Sequence, residues 1–95
     1  MEREIFRVTA EIVDANGTYA SMQGYPKTFD SKNYQNNVET AKKRAVGDWH
    51  GVMQGFSTQD TRKLQVAQVV QLSTGAVIEN DYIGGLSDPE PEPNE

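Results

Sequence analysis

A chain of 95 residues has room for one domain with one core. It has no cysteine, which excludes disulfides, thiol catalysis and thiolate-bound metals, and only 36% of its residues are hydrophobic. Its formal charge of -5 is uneven: Asp88, Glu90, Glu92 and Glu95 all lie within Ser87–Glu95, so the rest of the chain is close to neutral.

The first element is a strand over Ile5–Val13. Phe6, Val8, Ala10 and Ile12 alternate there with Arg7, Thr9 and Glu11, the period of a half-buried strand. Asp14-Ala15-Asn16-Gly17 follows, and Asn-Gly suits a tight turn that needs positive φ. The second strand is expected from Thr18 to Gln23 or Tyr25, ending at Gly24 and Pro26. Thr28-Phe29 continues as an extended segment with Phe29 packed inward.

A helix is expected over Lys32–Gln54, capped by Asp30 or Ser31. Its apolar stripe is Tyr34, Val38, Ala41, Ala45, Trp49, Val52 and Met53, with Gly55 as the stop. A polar connection, Ser57–Lys63, leads to a third strand over Leu64–Ser73. Leu64, Val66, Val70 and Leu72 share one of its faces, and Gln65, Ala67, Val69 and Gln71 the other. Thr74-Gly75 turns into a fourth strand over Ala76–Tyr82, and Gly84-Gly85 ends it.

The order β-β-α-β-β predicts an α+β fold: one helix packed on one face of a four-stranded, mainly antiparallel sheet. Trp49 stands at the centre of the expected core, ringed by Phe6, Val8, Ile12, Val66, Val70 and Leu72. Residues 1–86 form the single domain, and residues 87–95 read as a disordered acidic Pro/Glu tail.

No apolar run approaches the ~20 residues of a membrane helix. The N-terminal residues carry acids where a signal peptide needs a basic start. The expectation is a soluble cytoplasmic protein without a membrane partner.

Catalytic constellations do not emerge. His50 is the single histidine, and it falls opposite the apolar stripe with no orienting carboxylate at helical spacing. No metal or cofactor set is spaced for binding. The reading is of a protein that is not an enzyme, without catalytic, cofactor or metal residues.

Three surfaces are candidates for interaction instead. Gly47 and Gly51 share the back of the helix with Thr40, each at a cost of ~1 kcal/mol against Ala, leaving a groove where a partner backbone could approach. Lys43 and Arg44, with Arg62 and Lys63 after the helix, are the main concentration of bases. The sheet face away from the helix is expected to show Arg7, Thr9, Glu11, Tyr19, Ser21, Gln23, Gln65, Val69 and Gln71.

The sequence therefore reads first as a protein-interaction module, with a homodimer as one form. The alternative is a nucleic-acid-binding accessory protein using Lys43, Arg44, Arg62, Lys63 and the open sheet face. That alternative is disfavoured because the near-neutral body lacks the basic surface that phosphate backbones require.

Overall fold

The computed structural model describes residues 3–56 and 59–83. The elements are β1 (Glu4–Val13), β2 (Thr28–Gln35), α1 (Val38–Asp48), the short α2 (His50–Met53), β3 (Lys63–Gln71) and β4 (Ala76–Asn80). The strands form one antiparallel sheet in the order β2-β1-β3-β4. The α+β class and the β-β-α-β-β order match the expectation. The acidic segment 87–95 and the Gly84-Gly85 stop lie outside the described residues.

The sheet has two faces. On the inner face, Phe6, Val8, Ala10 and Val69 pack against Ala41, Ala45 and Trp49 of the helix, with Phe29, Val38, Leu64 and Val66 at the margin. Trp49 is thus in the core as expected, and Phe6, Val8 and Val66 are around it. Gly75 adopts φ +77 in the β3–β4 turn, and Gly17 adopts φ +80 in the first turn. There Asp14 accepts hydrogen bonds from the backbone N–H groups of Asn16 and Thr18.

The second strand is not where the alternation placed it. The Asn16-Gly17 turn forms, but pairing beyond it stops at one bridge, Val13 to Tyr19. The strand that pairs along β1 is Thr28–Gln35, from Glu11↔Thr28 to Glu4↔Gln35. Its inner positions include Phe29, Ser31 and Asn33, so it docks on the helix largely through polar contacts and carries no apolar alternation. Ser31 Oγ donates to Asp48, and Asn33 Nδ2 donates to the Ala41 carbonyl at 3.1 Å.

The helix correspondingly starts later. Asn37, not Asp30 or Ser31, is the N-cap, and its side chain accepts from the Thr40 N–H at 2.9 Å. Tyr34 lies in β2 and is 53% exposed. The helix breaks at Trp49, whose φ of -89° and ψ of 2° separate α1 from α2.

The third strand carries a second correction. Thr9 pairs with Gln68 but Ala10 pairs with Val66, so Ala67 is an extra residue. The bulge swaps the faces of everything beyond it. Val69 and Gln71 turn inward, while Val70 and Leu72 turn outward; Val70 stays buried on the outer face, and Leu72 is exposed and leaves the expected core. No helix among the described residues is long and apolar enough to cross a membrane.

Candidate interaction surface

The outer face follows from the register, since directly paired residues share a face. Successive rungs are Tyr34 and Ile5, then Lys32, Arg7, Val70 and Val77, then Asp30, Thr9, Gln68 and Asn80, then Thr28, Glu11 and Gln65. Leu72 extends the first rung, its N–H bonding the Ile5 carbonyl at 2.9 Å. Arg7, Thr9, Glu11 and Gln65 are therefore on this face as expected. Val69 and Gln71 are not, and Tyr19, Ser21 and Gln23 lie outside the strands.

This face has a closed end and an open end. At the closed end, the segment after β4 runs back over the sheet. The Asp81 N–H bonds the Ala67 carbonyl at 2.6 Å, and the Ile83 N–H bonds Glu11 Oε1 at 2.7 Å. Glu11 is fully buried and Thr9 nearly so, with the Thr9 hydroxyl donating to Asp30 at 3.0 Å. Tyr82 lies over the same region, and burial pushes its phenol pKa above the ordinary value.

The open end is apolar. Ile5 is 44%, Tyr34 53%, Leu72 36% and Val77 53% exposed, and they come from adjacent strands. Ile5, Tyr34 and Leu72 line a cavity of about 340 Å³ together with Arg3, Glu4 and Ser73. The Arg3 guanidinium sits 5.5 Å from the Tyr34 ring centre, and Glu4 accepts from the Ser73 hydroxyl at 2.6 Å.

The residues singled out in the sequence fall elsewhere. Gly47 and Gly51 are on the back of the helix, where an added Cβ would meet nothing within 4 Å. Val46 is exposed on the same segment. Thr40 is spent on the cap, its hydroxyl donating to the Asn37 carbonyl at 3.0 Å. His50 is exposed, its ring 2.9 Å from the Gln54 amide.

Bases and acids pair locally. Arg44 bonds Asp48 at 3.0 Å, and Arg62 bonds Asp60 at 2.7 Å. The hydrogen bond from Arg62 holds the Asp60 carboxyl at about 2, well below the ordinary 3.8. Lys42 reaches Glu79 of β4 at 2.9 Å, and that bond raises its pKa.

Lys43 is exposed on the helix, whereas Lys63 pairs with Val13 on the outer face of the sheet. The four bases Lys43, Arg44, Arg62 and Lys63 therefore do not share one surface.

The surface that sequence reasoning missed is the open end. The apolar spacing places Tyr34 in the helix stripe and Leu72 in the core. The available signal was Asn37, a preferred cap residue directly before Val38 and Glu39, which starts the helix after Tyr34. The chain matches no protein-family model, and no curated protein or solved structure is significantly similar to it.

Proposed function

We propose that this domain is a non-enzymatic protein-interaction module whose contact surface is the open end of the outer sheet face. The observation that supports the reading is the set of four exposed apolar side chains at this end, Ile5, Tyr34, Leu72 and Val77, the first three of which line one cavity. Contiguous apolar surface of this kind marks interfaces more often than scattered exposed residues do. The back of the helix offers a weaker case, with Val46 as its exposed large apolar residue and open space above Gly47 and Gly51.

Binding is favoured over catalysis by the way the perturbed ionisable groups are used. Lys42, Asp60 and Arg62 are perturbed by their own ion-pair partners, and Tyr82 mainly by burial. Lys42 is on α1, the Asp60–Arg62 pair precedes β3 and Tyr82 follows β4, and none of them lines the cavity at the open end.

The test pairs Ile5→Asp with Leu72→Asp in the full chain. Self-association by light scattering, or retention of a protein partner, should be lost while the thermal transition is kept. If both persist in the double variant, the open end is not the interface. If they are lost instead on replacing Gly47 and Gly51 with Ala, the helix back is.

A further inference from the structure

We propose that the partner of the open end is an acidic protein segment carrying an aliphatic anchor residue. This rests on the reading of the open end as an interface and goes on to the chemistry of what binds there. Three cations border the apolar strip. Arg3 lies against Tyr34, while Arg7 and Lys32 face each other across β1 and β2 on the next rung. Among the described residues, no carboxylate lies within ion-pair distance of any of the three.

Arg7 is the most telling. Its Nε is buried and has no hydrogen-bond partner. A buried N–H of a charged group left unpaired is costly, and a carboxylate brought up to the guanidinium would offset that cost through its charge. The acids on the same face are engaged at the closed end: Asp30 by Thr9, and Glu11 by the Ile83 N–H. The open end therefore has an apolar floor bordered by three cations outside ion-pair distance of a described carboxylate, and by one carboxylate, Glu4, which is held by the Ser73 hydroxyl. An aliphatic side chain fits the cavity formed by Ile5, Tyr34 and Leu72, and neighbouring carboxylates reach Arg3, Arg7 and Lys32.

A nucleic acid is also anionic, but base stacking calls for aromatic platforms. Tyr34 is the one aromatic residue at the open end, against the aliphatic Ile5, Leu72 and Val77.

The probe is a fluorescein-labelled peptide with one leucine and four aspartates on a glycine–serine backbone, titrated against the full chain by anisotropy. Saturable binding is expected, weakened several-fold between ~50 and ~300 mM salt because exposed charges are screened over that range. Arg3→Glu with Lys32→Glu should weaken it tenfold or more, and Lys43→Glu on the helix should leave it unchanged. Absence of binding at ~1 mM peptide overturns the proposal, because even weak specific contacts register there. Equal binding of an asparagine version also overturns it, as does preference for a single-stranded oligonucleotide.

Two further results assign the surface to another occupant. Binding that appears only after Asp88, Glu90, Glu92 and Glu95 are neutralised gives it to the chain's own acidic segment. Self-association that Ile5→Asp abolishes, without peptide binding, gives it to a second copy. In the second case the interface reading stands while the acidic partner falls. If Ile5→Asp with Leu72→Asp changes no association at all, both fall together.

Discussion

The inner and outer faces of the sheet are built from the same four strands but finished in opposite ways. The inner face buries apolar side chains beneath a helix that supplies its own apolar stripe. On the outer face two polar side chains, Thr9 and Glu11, are buried at the closed end, and Val13 and Val70 are buried as well, while Ile5, Leu72, Val77 and Tyr34 stand exposed at the other end. Stability alone favours the reverse arrangement, since burying a carboxylate costs free energy and burying isoleucine releases it. The contrast teaches where to look for function: the fold covers the apolar side chains of the inner face and leaves those of the open end exposed.

Five measurements would break or sharpen that contrast, the largest effect coming from the inner face. Trp49→Ala should destabilise by about 3–5 kcal/mol, since a large buried side chain leaves a cavity between helix and sheet. Urea denaturation should show the domain unfolded or close to it.

At the closed end, Glu11→Ala strands the Ile83 N–H and should cost about 1–3 kcal/mol. Faster hydrogen exchange at the Ile83 amide would separate release of the 81–83 segment from general loosening.

Gly47→Ala and Gly51→Ala should each stabilise the domain by up to ~1 kcal/mol, because the added methyl meets open space. A loss of stability there would mean that the back of the helix is occupied.

At the open end, Ile5→Ser should change stability by less than about 0.5 kcal/mol, as exposed substitutions usually do. A larger loss would place Ile5 in the core and remove the contrast.

The smallest effect lies in the connection before β3. The Asp60 carboxyl should titrate by NMR at about 2, and Arg62→Gln should return it towards 3.8. Because the folded value is depressed, the contribution of this pair is present above about pH 4 and is lost as pH falls through 2.

Much of the fold was legible because apolar periodicity reports burial. β1 alternates cleanly, the Val38–Ala41–Ala45–Trp49 stripe faces the core, and Thr74-Gly75 makes its turn. β2 was illegible because Ser31 and Asn33 occupy inner positions, and their burial is settled by hydrogen bonds that no hydrophobic pattern encodes. The bulge at Ala67 was illegible for a different reason. An extra residue changes the facing of Val70 and Leu72 without changing their chemistry. The open end depends on both of these features, through Tyr34 and Leu72, so the candidate site was the least legible part of the molecule.

The position of β1 in the sheet has a consequence for how the chain is made. β1 is the first strand in the sequence but a central one in the sheet, and its pairing with β3 joins Phe6 to Gln71 and Val13 to Lys63. At ~5–20 residues per second, the ribosome completes β1 on the order of 3–12 s before β3 has been synthesised. Throughout that interval one edge of β1 has no native strand to pair with. Nascent β1 is therefore the segment of this chain with most need of a chaperone, and closure of the β1–β3 ladder is the step expected to limit folding.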